Sequence, residues 1–208
     1  SMEKQYGKNI DVAIRSSATA EDLAGASFAG GYETYIGIRG KKDVISAVRH
    51  CFASLFTERA ISYRHDKGFD HFSIALSVAI QRMARSDVGA SGVMFTIDTE
   101  TGFPDVVLIS AAYGLGEMVV QGQVVPDEYL VAKHRLDAAP KPIIGKRLGA
   151  KAGKMIYAAG KGGVKPVRIV KTTDKERNNF VLTDKQIITL SKWGKIIEQH
   201  YTAKRGKP

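Results

Sequence analysis

Cysteine is almost absent. Cys51 is the only one in 208 residues, so no internal disulfide can form, and the chain fits a reducing, cytoplasmic setting. Its neighbours Val48, Phe52 and Leu55 suggest a buried thiol without a catalytic role. Long apolar runs are missing too. None approaches the roughly 20 residues that span a bilayer, and Ser1-Met2-Glu3-Lys4 lacks the apolar segment of a signal peptide. A serine ahead of that methionine reads as a cleavage scar, which makes residues 1–9 a lead-in to the domain proper. Neither Gly-x-x-x-x-Gly-Lys-Ser/Thr nor Gly-x-Gly-x-x-Gly occurs, so both common nucleotide fingerprints are lacking.

Acidic residues are scarce towards the C-terminal end. Residues 133–208 hold 5 Asp/Glu against 19 Lys/Arg, whereas residues 1–132 hold 16 against 12, and the net charge is +10. A basic half suits nucleic acid, an anionic substrate or an acidic partner domain. Here the lysines are scattered, with no tight cluster and little aromatic interleaving. A nucleic-acid binder needs an electrostatic stripe and stacking side chains, so that partner fits poorly and a solvated surface fits better. With 44% hydrophobic and 25% charged residues, the remaining composition is that of an ordinary soluble globular protein.

What is present is concentrated near the start. Residues 10–15 read as a short buried strand, in which Val12-Ala13-Ile14 delivers Arg15-Ser16-Ser17-Ala18-Thr19-Ala20-Glu21-Asp22. The stretch runs on through Ala26-Ser27-Phe28-Ala29-Gly30-Gly31 to Glu33-Thr34. Such a polar, glycine-rich loop cannot fill a core. It can bring hydroxyls, backbone N–H groups and a permanent cation to a phosphate. Arg15 supplies a planar, bidentate charge, and Ser17, Thr19, Ser27, Thr34 and the amides around Gly30 supply a cradle. The competing reading of Arg15 is a structural salt bridge, the commoner fate of an arginine at a strand end. Gln81, closing a later strand, offers an amide donor and acceptor to an adenine edge. Carboxylates for Mg²⁺ are harder to find. Asp22, Glu33 and Glu117 are candidates, but none has a partner at a telling spacing, and the metal ligands stay unassigned.

The intervening elements read as scaffold. Residues 42–56 form an amphipathic helix with Ile45, Val48, Phe52 and Leu55 on one stripe. Thr57 caps a second helix running to about His65 and ended by Gly68. Residues 74–81, 92–97, 105–110 and 127–132 read as consecutive strands joined by short connections, which predicts an antiparallel sheet and an α+β class. Between the last two, Tyr113 to Gly122 suits a site wall, or equally a turn opening a helix in which Glu117 is favoured by the dipole. Residues 138–182, rich in Pro, Gly and Lys, read as irregular or short-stranded and are the best candidate for mobility. Thr183-Asp184-Lys185-Gln186 is a capping box opening a helix with Ile187, Leu190, Ile197 and Tyr201 on one face. Residues 203–208 read as a frayed tail, which leaves 10–202 as a single nucleotide-binding domain.

Several of these stretches carry a resemblance. Val12 to Asp22 with Ala26-Ser27-Phe28-Ala29-Gly30, then Phe52-Ala53-Ser54-Leu55-Phe56, Arg59-Ala60-Ile61-Ser62-Tyr63-Arg64 and Gln81-Arg82-Met83 follow a familiar order. Ser91-Gly92-Val93-Met94-Phe95-Thr96, Ala112-Tyr113-Gly114-Leu115-Gly116-Glu117, Val120-Gln121-Gly122 and Pro126-Asp127-Glu128-Tyr129 continue it. From about residue 11 to 157 the chain closely resembles the nucleotide-binding domain of phosphoenolpyruvate synthases (pyruvate, water dikinases), members of the PEP-utilising enzymes. The resemblance implies an ATP-grasp-like fold, a largely antiparallel sheet with flanking helices, here a partial domain. It implies ATP and Mg²⁺, and transfer of phosphate from ATP to a histidine on a separate swivelling domain, giving AMP and phosphate. A barrel domain then passes the phosphoryl group to pyruvate. It also implies that Arg15 contacts the phosphates, Gly30 and Thr34 belong to the loop closing over them, Gln81 meets the adenine with Met83 nearby, and Thr96 and Glu117 line the site.

Three features of the family pattern have no counterpart: the glycine-lysine loop, the acidic residue with its following glutamine and arginine, and the phospho-carrier histidine. The expectation is therefore an ATP platform that cannot complete the reaction alone, with pyruvate reached only through missing domains. Rifamycin phosphotransferases and glucan, water dikinases use similar ATP modules and are the alternatives of the same fold. A basic nucleic-acid-binding module is the alternative from another class.

Overall fold

The structure, a computed structural model, describes residues 2–8, 10–19, 22–23, 26–27, 33–137, 141–157 and 167–206. The chain gathers into two compact units, Ser1–Ala84 and Arg85–Tyr157 with Val167–Pro208. Both mix helices with sheet, every described strand pair is antiparallel, and the class is α+β.

The first unit opens with a short helix, α1 (Met2–Tyr6), followed by β1 (Val12–Ala18), the paired fragments β2 (Asp22–Leu23) and β3 (Ala26–Ser27), and β4 (Thr34–Ile38). Helices α2 (Lys41–Ala53) and α3 (Glu58–Asp66) precede β5 (Leu76–Arg82). β1 is the central strand, with β4 on one side and β5 on the other. Its Val12 and Ile14 are buried with Ile38 under Ala47 and Cys51 of α2, and that cluster is the unit's core. Among its described residues, the stretch expected to be a loop is thus largely strand. All seven residues of β1 pair with β5, and Thr19 extends the ladder by donating its N–H to Ala75 O at 2.9 Å. Its polar composition reflects one solvent-facing side of a sheet, since successive side chains alternate between faces. β5 itself belongs here, and not beside the next strands of the chain: alternation identifies a strand without naming its partner.

The α2 stripe also differs from expectation. Ala47 and Cys51 are the buried residues, with Val44 and Val48 packed against them, whereas Ile45 and Phe52 are more than two-fifths exposed. Small residues occupy the line of closest approach to the sheet. Thr57 caps α3 as its sequence predicts, accepting from Ala60 N–H at 3.4 Å.

The second unit is a four-stranded meander, β6 (Ala90–Phe95), β7 (Val106–Tyr113), β8 (Asp127–Ala132) and β9 (Ile143–Arg147), paired in chain order. The one-turn helix α4 (Glu117–Val120) lies between β7 and β8 in sequence. A separate hairpin, β10 (Gly153–Tyr157) with β11 (Val167–Lys171), and the short α5 (Asp174–Arg177) lead to α6 (Asp184–Arg205). Residues 138–182 therefore carry three strands and a helix among their described residues. Helix α6 covers the meander, burying Ile187 with Val107, Ile109, Tyr129, Val131 and Leu136. Its buried positions are Ile187, Ser191 and Gly194, while Ile197 and Tyr201 are more than half exposed. Gly194 comes so close to β6 that an added Cβ would lie 3.1 Å from Met94 Cε and 3.3 Å from Thr96 Cγ2. The expected Ile187–Tyr201 face is buried only at its N-terminal end for that reason. No helix among the described residues is long and apolar enough to cross a membrane.

Candidate functional site

Register places three of the predicted residues on one surface. Arg15 of β1 lies opposite Thr34 of β4 and Ala79 of β5, and Gln81 of β5 lies opposite Ala13, two residues before Arg15. Directly opposed side chains share a face, as do residues two apart along a strand. Ile14 points into the core, so Arg15, Thr34 and Gln81 all stand on the opposite, solvent-facing side, and all three are exposed. Met83, two residues past Gln81, continues the row and ties its N–H to Asp11 O at 3.0 Å. Gly30 lies outside the described residues.

The hydroxyls of the same stretch divide by use. Ser16 donates to Glu33 O at 3.0 Å, and the Thr19 hydroxyl accepts from Ala75 N–H at 3.2 Å. Both hold backbone together, which removes Thr19 from the expected cradle. Ser17 stays on the Arg15 face, exposed and opposite Ser77. Ser27's side chain lies outside the described residues. Arg15 has no ion-pair partner among the described residues, which leaves its guanidinium available to an anion. The nearby arginine that does serve structure is Arg39, whose guanidinium grips Asp11 with both a close contact through Nε and a 2.9 Å bond from Nη2.

Thr96 and Glu117 belong to the second unit and lie apart within it. Ala90 pairs with Tyr113 and Phe95 with Leu108, so Thr96 follows one end of the β6–β7 pair and Glu117 follows the other. Five steps of about 3.4 Å separate those ends by roughly 17 Å. Thr96 sits in a cleft between β6 and the Gly194–Thr202 stretch of α6. Glu117 opens α4, is exposed, and accepts from Gln121 Nε2 at 3.1 Å. Among the described residues, no group of three or more His, Cys, Asp or Glu side chains could hold a metal ion. Cys51 is buried, and its pKa is raised, first by that burial and then by the Glu33 carboxylate, so it stays a neutral thiol.

Sequence reasoning missed the polar centre of the second unit. Asp127 is fully buried and forms an ion pair with Lys151, which is also fully buried. The carboxylate further accepts from Gly149 N–H at 2.8 Å, Val181 N–H at 2.7 Å and the Tyr129 hydroxyl at 3.2 Å. That hydroxyl in turn accepts from Leu182 N–H at 3.1 Å, and burial drives the Tyr129 pKa upward. Lys151 adopts φ 41°, a left-handed backbone unusual for a lysine, held by these bonds. The scattered lysines of this half predict a solvated surface. Instead all five acids of residues 133–208 are paired: Asp137 with Lys195, Asp174 with Arg177, Glu176 with Lys154, Asp184 with Lys146 and Glu198 with Lys133. Lys146–Asp184 ties β9 to α6 and Lys154–Glu176 ties β10 to α5, whereas Asp174–Arg177 lies within α5.

Comparison with known proteins adds the family. Residues 1–205 match the family described as pyruvate phosphate dikinase, AMP/ATP-binding domain. The phosphoenolpyruvate synthase of Aquifex aeolicus is 55% identical over 205 residues, covering 99% of this chain and 24% of that protein. Those of Synechocystis and Helicobacter pylori are 54% and 52% identical over 210 residues, covering 99% and 100% of this chain and 25% and 26% of theirs. The chain spans about a quarter of the length of these curated relatives. With the match running nearly end to end, the chain belongs to the pyruvate phosphate dikinase AMP/ATP-binding domain family.

Proposed function

We propose that this chain is the ATP-binding portion of a phosphoenolpyruvate synthase, and that the Arg15, Thr34 and Gln81 face of the first unit receives the nucleotide. In this reading the guanidinium of Arg15 neutralises phosphate charge, Thr34 caps the same row, and Gln81 with Met83 meets the adenine. Gly30 belongs to the same reading, which takes residues 10–202 as an ATP-grasp-like domain. The observation that carries the proposal is an exposed, unengaged arginine one strand row from an exposed glutamine, on a chain of AMP/ATP-binding family. The wider reaction is proposed with it. ATP gives up phosphate to a histidine on another domain, releasing AMP and phosphate, and the phosphoryl group passes to pyruvate, in a cytoplasmic setting. Among the described residues no group of three or more His, Cys, Asp or Glu side chains could hold Mg²⁺, so the part proposed for this chain in that sequence is nucleotide binding.

Arg15→Ala tests it by calorimetry with ATP and with AMP. A charge-assisted contact contributes roughly 1.5–3 kcal/mol, so ATP binding should weaken by about tenfold or more, with the unfolding midpoint unchanged because Arg15 is exposed. Equal ATP affinity in the variant would make the arginine a bystander and sink the reading.

A further inference from the structure

Beyond Arg15 the same sheet face continues for one more row. Along β5, Gln81, Ala79 and Ser77 share this face and are exposed, and along β1 Arg15 and Ser17 lie opposite Ala79 and Ser77, with the buried Ala13 opposite Gln81. Gln81 and the Ser17–Ser77 pair therefore lie on opposite sides of Arg15, each about 7 Å along the strands from it. Ala79 beside Arg15 is small and leaves the surface open between them. Both serines are exposed. Ser77 donates to Ser17 O at 3.2 Å, a bond its rotating hydroxyl can exchange, and the Ser17 hydroxyl has no partner among the described residues.

Given the reading of this face as the nucleotide surface, on which this inference rests, a bound ATP has a direction. Its base lies at the Gln81 end and its first phosphates at Arg15, so its terminal phosphates lie over the last row. We propose that Ser77, together with Ser17, holds the terminal phosphates of ATP and so distinguishes ATP from AMP at this site. Two hydroxyl donors suit phosphate oxygens that carry no base and no ribose. An AMP anchored at Gln81 and Arg15 does not reach them. Ser77 differs from the arginine in this respect, since Arg15 meets phosphate in either nucleotide.

The experiment is calorimetry of the intact 208-residue chain and of three variants, Ser77→Ala, Ser17→Ala with Ser77→Ala, and Ser77→Asp, each with ATP and with AMP. Thermal melts run alongside exclude misfolding. The double alanine variant should lose about tenfold or more in ATP affinity and keep its AMP affinity. Ser77→Asp should lose ATP at least as severely, because a carboxylate beside the terminal phosphates repels them. Unchanged ATP affinity in all three variants, with Arg15→Ala still weakening ATP, would overturn this inference alone. Equal losses for ATP and AMP would also overturn it, assigning the serines to the sheet. Failure of the unaltered chain to bind ATP, or indifference to Arg15→Ala, would overturn the reading of the face and this inference with it.

Discussion

Asp127 and Arg15 mark two fates of charge in one chain. The aspartate is surrounded: one ammonium, two backbone N–H groups and a phenol converge on its two oxygens. Taking a carboxylate and an ammonium out of water costs several kcal/mol each, and the pair is tolerable because nearly every donor and lone pair is used. Removing one member leaves the other stranded. We expect Asp127→Ala to destabilise the chain by about 3–5 kcal/mol in urea titration, because Lys151 stays buried and two backbone donors lose their acceptor. Asp174→Ala, which breaks the exposed pair with Arg177, should cost about 1 kcal/mol or less. Comparable losses in the two variants would mean that burial does not govern the energetics of these pairs.

At the level of elements, close approach of backbone decides what can be changed. Gly149 follows β9, where an added Cβ would lie 2.2 Å from Pro126 O and 2.4 Å from Val125 O. Those obstacles are main chain and cannot rotate aside. Gly149→Ala should therefore cost about 3 kcal/mol, read as a lowered urea midpoint. Gly145→Ala, facing only Leu130 Cβ at 3.6 Å, should stay within about 0.5 kcal/mol. The same logic explains which elements were legible in the sequence. Local signals worked. The Thr57 cap and the Thr183–Gln186 capping box appear with the expected bonds, since a cap depends on neighbours three residues away. Strand identity was legible from alternation, but the pairing of β5 with β1 was not, because register is a long-range property. The buried stripes of α2 and α6 were misread for a related reason. Ala47, Ser191 and Gly194 are small residues that let helix and sheet meet, and hydropathy ranks them below exposed Phe52 and Ile197. Of the proposed nucleotide face, Arg15 was legible as a cation in a setting of hydroxyls. Ser77 was not, because only the register brings a serine 60 residues away beside Ser17.

For the whole molecule, each unit carries its own core, one built on Val12, Ile14 and Ile38, the other on Val107, Tyr129 and Val131. Deleting buried methyl groups from one should loosen that unit first. Ile14→Ala, costing about 2–5 kcal/mol, should speed amide exchange in β1, β4 and β5 while β7 and β8 keep their protection. Uniform acceleration across both units would show that they unfold as one. Charge has a similarly divided character. The basic half engages Lys133, Lys146, Lys151, Lys154, Arg177 and Lys195 in intramolecular pairs, six of its 19 cations.

The Asp127 centre also imposes an order on biosynthesis. Its lysine arrives 24 residues later and its last backbone donor, Val181, 54 residues later. A nascent chain that has exposed β7 and β8 but not yet residue 181 holds an acid whose permanent site does not exist. Until then the meander is committed in sequence and unfinished in energy, and it is the translation of a short, apparently featureless Asn-Asn-Phe-Val stretch that lets it close.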